Sequence, residues 1–202
     1  MKKQIFSLDV LLKKTNKILK FFSFIFLLNS SIVLAGERWI LDKELSSITF
    51  ELPILLVKNV QGTFTSIEGF VEIDVDQKKN NKAIISVDIG SVDMNYKKYK
   101  DLLLSNIFFD EKQFPKAVID TKKFSYQNEE ELKINVELII KGQSQMVPST
   151  ITVKRLAEEL VQIQSELIFS RTDFNIGIGK WSNTMILRDK TKIKTNLFLF
   201  KE

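Results

Sequence analysis

Catalytic chemistry in this chain would depend on carboxylates, lysines and tyrosines, because its 202 residues include no histidine and no cysteine. Histidine is the most common general base and metal ligand near neutral pH, and thiolates are strong nucleophiles and zinc ligands. Their absence excludes Ser-His-Asp and Cys-His catalytic sites and zinc sites with histidine or cysteine ligands. It also excludes disulfide bonds and a lipid anchor attached through cysteine.

The most regularly spaced carboxylates are Glu72, Asp74 and Asp76, which alternate with apolar residues. Successive side chains of a strand point to opposite faces, so this pattern favours a solvated outer face of a half-buried strand. A glycosidase would need two carboxyl groups about 5–9 Å apart across a cleft. Tyr99 and Lys100 are further candidates for an enzyme that acts on a lipid or a glycan.

The segment Gly177-x-Gly179-Lys180 has a partial likeness to a phosphate-binding loop. The full P-loop spacing is missing, and no helical pattern begins at its end. We therefore expect these glycines to permit positive φ in a bend or to let Trp181 fold back against the barrel.

Most of the chain beyond residue 36 alternates between apolar and polar residues, which predicts half-buried strands. Turn signals such as Lys141-Gly142 separate the alternating runs. Eight to ten short strands of this kind predict an all-β antiparallel barrel or sandwich, and the periodicity alone does not distinguish the two. The runs cover residues 39–41, 47–52, 57–64, 71–76, 83–89, 116–124, 132–140, 149–155, 161–169 and 191–200.

One stretch has helical periodicity instead. Within residues 93–104 the apolar residues recur at spacings of three and four, with lysines on the opposite side. This pattern predicts a short helix inserted between strands. Two roles fit such a helix: it plugs the mouth of a barrel, or it caps the core.

The first 35 residues have the features of a secretory signal peptide. Six lysines precede the apolar run of residues 21–28, and Ala35 ends a cleavage site of small residues. The run is too short to cross a bilayer, which needs about 20 apolar residues. We expect cleavage after Ala35 and a periplasmic location; the alternative is an uncleaved anchor in the membrane interface.

Removal of this segment changes the charge of the chain. The whole sequence has a net charge of +5, whereas residues 36–202 contain 24 basic and 24 acidic residues. A neutral domain does not favour nucleic acid as a partner. The length and apolar content of residues 36–202 predict one domain with one core.

Two segments place aromatic side chains beside turns and polar groups: Leu103-x-Ser105-x-x-Phe108-Phe109-Asp110-x-x-x-Phe114-Pro115 and Ser170-Arg171-Thr172-Asp173-Phe174-x-Ile176-Gly177-x-Gly179-x-Trp181. Shorter motifs precede and separate them, among them Trp39-x-Leu41-Asp42, Val60-x-Gly62-x-Phe64 and Ile140-Lys141-Gly142. In their order and spacing these segments resemble the YceI family of periplasmic, lipocalin-like lipid-binding proteins.

The resemblance implies an extended antiparallel barrel of about eight strands with a long apolar cavity for a polyisoprenoid or similar amphiphile. A bound isoprenoid-type lipid or quinone would be the ligand, with no other cofactor and no metal. The residues expected to line the ligand site are Phe50, Leu52, Ile54, Phe64, Asn95, Tyr99, Leu102, Leu103, Phe108, Phe109, Phe124, Phe169, Asp173, Phe174 and Trp181.

The chain departs from the family pattern at charged positions. The family typically has histidine where this chain has Ile54, and arginine and histidine where it has Tyr99 and Leu102, whereas Asn95 is kept. Fewer ionisable groups near the pocket predict a neutral or weakly polar headgroup, such as that of a quinone or prenol, rather than a diphosphate.

Three functions fit the sequence. The first is a periplasmic, non-enzymatic carrier or store of an isoprenoid or other long apolar molecule. The second is an enzyme that uses carboxylates, Tyr99 or Lys100 on a lipid or glycan. The third is a filled barrel that docks a membrane redox partner. The further partner hypotheses are transient contact with the membrane and a homodimer.

Overall fold

The computed structural model describes residues 36–54, 57–74, 78–94, 96–127 and 130–202. The predicted signal peptide, residues 1–35, lies outside the described residues. The helix α1 spans Lys97–Leu104. The strands are β1 (Glu37–Ile54), β2 (Val57–Phe64), β3 (Ile67–Ile73), β4 (Lys82–Asp88), β5 (Val92–Met94), β6 (Lys116–Asp120), β7 (Glu131–Ile140), β8 (Gln143–Ala157), β9 (Leu160–Ser170) and β10 (Lys190–Lys201).

The strands form a closed antiparallel barrel, because β1 pairs with β10 on one side and with β3 and β2 on the other. Eight strands close the ring in the order β1, β3, β4, β6, β7, β8, β9, β10. Beside them, β2 pairs with the second half of β1, and β5 pairs with β2. The structure confirms the predicted lipocalin-like barrel and excludes the sandwich.

A bulge divides β1 into the half that pairs with β3 and the half that pairs with β2. The register with β10 shifts between Asp42 and Ser47. The Asp42 carboxylate accepts hydrogen bonds from the amides two and three residues later, both at 2.9 Å, and Ser46 Oγ accepts one from the Phe198 amide at 2.9 Å. These side chains satisfy amides that the interrupted ladder leaves unpaired.

The inserted helix is shorter than its sequence pattern. Residues Val92–Met94 form β5, which pairs with Gly62–Phe64 of β2, and α1 begins at Lys97. Pairing with β2 gives these backbone groups partners in the sheet, and this tertiary contact outweighs the local helical periodicity. Leu103 is buried in the core.

The run predicted as a strand over 116–124 also ends early. Strand β6 stops at Asp120, because Lys122 has a φ of 53° and turns the chain. Thr121 then occupies a buried position, where its hydroxyl accepts a hydrogen bond from the Ala83 amide at 2.8 Å. The Thr121 hydroxyl therefore takes the place of a backbone carbonyl as the acceptor for the Ala83 amide.

None of the helices in the described part of the chain is long and apolar enough to cross a bilayer.

The two ends of the barrel differ in their connections. We call the end that carries α1, residues 105–115 and residues 171–189 the closed end, because buried side chains from these segments cover it. The other end carries the connection after β6, which is described over residues 121–127, and the turn between Ala157 and Leu160, and we call it the open end.

Candidate ligand cavity

The barrel interior contains two cavities of very different size. The large cavity has a volume of about 740 Å³ and is lined by residues toward the open end. The small cavity has a volume of about 50 Å³ and is lined by residues toward the closed end. Ile48 and Ile119 line both, so the cavities are neighbours along the barrel. The large cavity falls in the size range of small-molecule pockets.

The wall of the large cavity is mostly aliphatic, because alternate residues of the strands point inward. On β9 the wall extends from Val161 to Leu167, a length of roughly 20 Å at the usual rise per strand residue. Inward hydroxyl side chains interrupt it, among them Ser149, Ser165 and Thr195. The arrangement is suited to a long, slender and largely apolar molecule.

Charged and aromatic residues surround the large cavity where it reaches the surface at the open end. The guanidinium of the exposed Arg155 lies 5.8 Å from the centre of the buried Trp39 ring, within cation–π range. Its Nη1 also donates a hydrogen bond to the carbonyl of Glu158 at 3.4 Å. Phe124 and Tyr126 complete the aromatic part of this rim.

Glu37 is a carboxylate at this rim whose pKa is shifted by a neighbouring lysine. Lys201 Nζ lies 2.7 Å from Glu37 Oε1. The hydrogen bond from Lys201 lowers the pKa of Glu37 below its ordinary value, although burial acts in the opposite direction. A carboxyl group with a lowered pKa is ionised at neutral pH, which is the opposite of what a general acid requires.

An aromatic cluster fills the closed end. Its rings meet in tilted or edge-to-face pairs, which aromatic side chains prefer in protein cores. The pairs are Phe50 with Phe64 at 5.3 Å between ring centres, Phe64 with Phe109 at 6.4 Å, Phe108 with Trp181 at 5.9 Å, and Phe169 with Phe174 at 5.2 Å. The small cavity lies among these rings.

Arg171 holds the segment 171–189 of the closed end in place. It is 1% exposed, and its guanidinium donates hydrogen bonds to the carbonyls of Ile176, Leu187 and Arg188 at 2.7, 2.8 and 3.1 Å. Burial lowers the pKa of Arg171, and the charge of Asp189 opposes this effect. The side chain therefore acts through backbone contacts inside the protein.

Gly177 allows this close packing. A Cβ at residue 177 would lie 2.8 Å from Arg171 Nη1, and its φ of 77° belongs to the left-handed region that favours glycine. Gly179 has a φ of 64°. The expected glycine bend is confirmed, and Trp181 packs against Phe108.

Lys141 joins the two segments that cover the closed end. Its Nζ donates hydrogen bonds to the carbonyl of Asn106 at 2.8 Å and to that of Asn175 at 3.1 Å. The Ile107 carbonyl accepts bonds from the amides of Gly177 and Ile178 at 2.9 and 3.1 Å. Residues 105–115 and 171–189 are thus bonded to each other as well as to the barrel.

The predicted site residues separate into groups by location. Phe50, Phe64, Leu103, Phe108, Phe109 and Phe169 line the small cavity, and Phe124 lines the large one. Phe174, Trp181, Tyr99, Leu102 and Asp173 line neither cavity; Phe174 is fully buried and Asp173 is exposed. Asn95 and the side chains of Leu52 and Ile54 lie outside the described part of the chain.

Most residues that line the large cavity were not among the predicted site residues. Trp39 and Arg155 at the rim, and Ser149, Ser165 and Thr195 in the wall, are examples. The alternation in β9 already places Ser165 on the same face as the apolar residues. A hydroxyl at an inward position is the signal that identifies such a residue.

Groups suited to metal-dependent catalysis are not clustered in the structure. Among the described residues, no three aspartates or glutamates lie close enough together to hold a metal ion. The described part of the chain thus provides an apolar cavity with hydroxyls and a charged rim.

Comparisons with known proteins agree with this fold. The family model of the YceI-like domain matches residues 39–199. BcnA of Burkholderia cenocepacia is 25% identical, with a TM-score of 0.71 over 78% of this chain and 98% of that one. No curated protein sequence matches the chain.

Two further solved structures share the fold. A polyisoprenoid-binding domain from Saccharophagus degradans, implicated in plant cell wall breakdown, is 15% identical, with a TM-score of 0.65 over 81% of this chain and 98% of that one. A Campylobacter jejuni YceI protein is 21% identical, with a TM-score of 0.62 over 74% and 89%. Since the family model covers most of a chain that folds as the same barrel, this protein belongs to the YceI-like family.

Proposed function

We propose that this protein is a periplasmic, non-enzymatic carrier or store of an isoprenoid or another long neutral amphiphile. The observation that carries the proposal is the 740 Å³ cavity with its largely aliphatic wall. Burial of apolar ligand surface in such a cavity favours binding by roughly 25 cal/mol per Å² before the costs of association. The polyisoprenoid-binding relative from Saccharophagus degradans supports this class of ligand.

The periplasmic location is supported by the signal-like residues 1–35. The neutral headgroup is supported by the residues at the positions where the family pattern has charge, Ile54, Tyr99 and Leu102. A quinone and a prenol each have a neutral headgroup of this kind. The lowered pKa of Glu37 gives no support to an acid catalyst at the rim.

A tryptophan placed inside the cavity tests this proposal. Ile151 lines the large cavity, so Ile151→Trp fills part of the space that the ligand would occupy. Thr150 lies next to it on the exposed face of β8, and Thr150→Trp puts the same ring outside the barrel. The probe is N-phenylnaphthylamine, a neutral fluorophore whose emission rises in apolar surroundings, displaced by an unlabelled prenol.

We expect the wild type and Thr150→Trp to bind the probe and to release it to the prenol. Ile151→Trp should bind it at least about tenfold more weakly, because occupied volume excludes ligand. Circular dichroism verifies that both variants fold. Equal binding by the two tryptophan variants would contradict a site in the large cavity.

A further inference from the structure

Three hydroxyl side chains form a row inside the large cavity. The hydroxyl row consists of Ser149 on β8, Ser165 on β9 and Thr195 on β10, which are adjacent strands. Ser165 pairs directly with Thr195, and Ser149 pairs with Leu167, one inward position closer to the closed end. The other inward residues of β9 that line this cavity are Val161, Ile163 and Leu167. The row is therefore a local polar site in an apolar wall.

The hydroxyl row has hydrogen-bonding capacity that the barrel does not use. Ser165 Oγ and Thr195 Oγ1 lie 2.8 Å apart, so one of their two O–H groups donates to the other hydroxyl. The second O–H of this pair, and the Ser149 hydroxyl, have no hydrogen bond to any residue in the part of the chain that the structure describes. Ser149 and Thr195 are 5% and 7% exposed, and all three side chains line the cavity.

Thr121, another buried hydroxyl that lines this cavity, is different. Its Oγ1 accepts a hydrogen bond from the Ala83 amide at 2.8 Å and donates to the Lys122 carbonyl at 3.0 Å. Its polar group serves the backbone at the end of β6. The hydroxyl row has no such structural role, and a donor that faces an apolar cavity is stabilised only by a partner within that cavity.

The surroundings of the row determine which partner fits. Its neighbours in the wall are aliphatic, and the two cations on β8 that line the cavity, Lys154 and Arg155, are five and six residues from Ser149, roughly 17–20 Å along the strand. No charged side chain of the described residues lines the cavity at this level to balance an anion. Hydroxyls alone suit a neutral acceptor oxygen.

We propose that the hydroxyl row binds a neutral carbonyl oxygen of the ligand, as in a quinone, ketone, ester or amide. This inference rests on the proposed ligand-binding function and specifies its headgroup and its direction. The row lies toward the inner part of the large cavity, with Leu167 between Ser165 and Phe169 of the aromatic cluster on β9, so the headgroup sits deep in the barrel. The apolar tail then extends toward the open end, past Ile163 and Val161.

Ligands matched in length test the proposal. A long-chain ketone, the alkane of equal length and the carboxylate of equal length each displace N-phenylnaphthylamine from the protein. The variant Ser149→Ala/Ser165→Ala/Thr195→Val removes the hydroxyls and nearly keeps the shape of the wall. Thr150→Val, which removes an exposed hydroxyl of β8, is the control, and thermal unfolding verifies that every variant folds.

We expect the wild type and Thr150→Val to bind the ketone about tenfold more tightly than the alkane, as one or two hydrogen bonds predict. The triple variant should bind the two equally and keep its affinity for the alkane. The carboxylate should be the weakest ligand of the wild type. If the triple variant does not fold, Ser165→Ala/Thr195→Val should lose most of the same preference.

The proposal is overturned if the wild type does not prefer the ketone, if the preference survives removal of the hydroxyls, or if the carboxylate binds most tightly. In these cases the alkane still displaces the probe, and the cavity function stands. If the wild type binds neither the probe nor the three ligands, the proposed function itself fails and this inference fails with it.

Discussion

The two ends of the barrel are built from similar strands but use their interiors differently. At the closed end, side chains from residues 105–115 and 171–189 occupy the space between the strands and leave about 50 Å³. At the open end, the inward aliphatic residues face a cavity of about 740 Å³. Alternation of apolar residues builds the wall in both regions, and the buried side chains that the connections contribute decide whether the barrel is filled.

This difference assigns stability and binding to separate regions. Close packing and backbone hydrogen bonds at the closed end provide contacts that a folded barrel needs. The aliphatic residues at the open end are partly exposed to the cavity. Their truncation should therefore cost less free energy of unfolding, and their burial by a ligand should contribute more to the free energy of binding. Comparable substitutions at the two ends test whether stability depends mainly on the closed end.

The largest effect on stability is expected at Arg171. Arg171→Met leaves several buried carbonyl groups without donors, and we expect a loss of at least about 4 kcal/mol in the free energy of unfolding. Arg155→Met at the open end should cost less than about 1 kcal/mol, because Arg155 is exposed. Urea denaturation followed by circular dichroism measures both. Similar losses in the two variants would remove the distinction between the ends.

The next effect is expected at the aromatic cluster. Phe174 is fully buried against Phe169, so Phe174→Ala should lower the free energy of unfolding by about 3–4 kcal/mol. Ile163→Ala in the wall of the large cavity should cost less than half as much, roughly 1 kcal/mol, because its side chain already borders empty space. A larger loss at Ile163 than at Phe174 would show that the open end is the packed one.

Buried hydroxyls provide a finer comparison. Thr121→Val removes the acceptor for the Ala83 amide and should cost about 1–2 kcal/mol in the free energy of unfolding. Ser165→Ala/Thr195→Val should change it by no more than about 0.5 kcal/mol, because the cavity supplies no other partner for that pair. Thermal unfolding without ligand separates the two cases. A marked loss in the double variant would make the hydroxyl row structural.

The smallest expected effect is a pH dependence at the closed end. Burial by itself raises the pKa of Asp189. Hydrogen bonds from Thr172 and Ser170 lower this pKa by more than burial raises it, so it lies below the ordinary value of 3.8. A folded-state pKa below the unfolded value contributes stability that is present above about pH 4 and lost as the pH falls through the folded pKa. Wild type should therefore exceed Asp189→Asn in unfolding temperature at neutral pH.

That difference should shrink as the pH falls below 4, because protonation removes the advantage of the charged carboxylate in the wild type. Scanning calorimetry from pH 7 to pH 2.5 measures it. A difference that is constant across this range would contradict the contribution of Asp189 ionisation.

The sequence predicts the fold better than it predicts the cavity. Alternation identifies β7 and β9 directly, because each has one apolar face. It misses β5, where a three-residue strand depends on pairing with β2, and the end of β6, where the positive φ of Lys122 turns the chain. Contacts distant in sequence decide both, so a local pattern cannot report them.

The position of the cavity depends on packing rather than on residue type. Aromatic residues such as Phe108 and Phe169 suit both a ligand wall and a filled core, and the sequence does not say which ends of the strands the loops will cover. The hydroxyl of Ser165 is visible in the sequence as a polar residue on an apolar face. Its two neighbours in the row become apparent only when β8, β9 and β10 are aligned.

Mass spectrometry of lipid carried through native purification tests the central claim most directly. The wild type and Thr150→Trp are purified without detergent, beside Ile151→Trp, and their extracts are compared. We predict a neutral, long-chain amphiphile with a carbonyl-bearing head, at about one molecule per chain, in the first two proteins and its loss from the third. A wild type without lipid, or one that carries mainly a diphosphorylated lipid, would contradict the account.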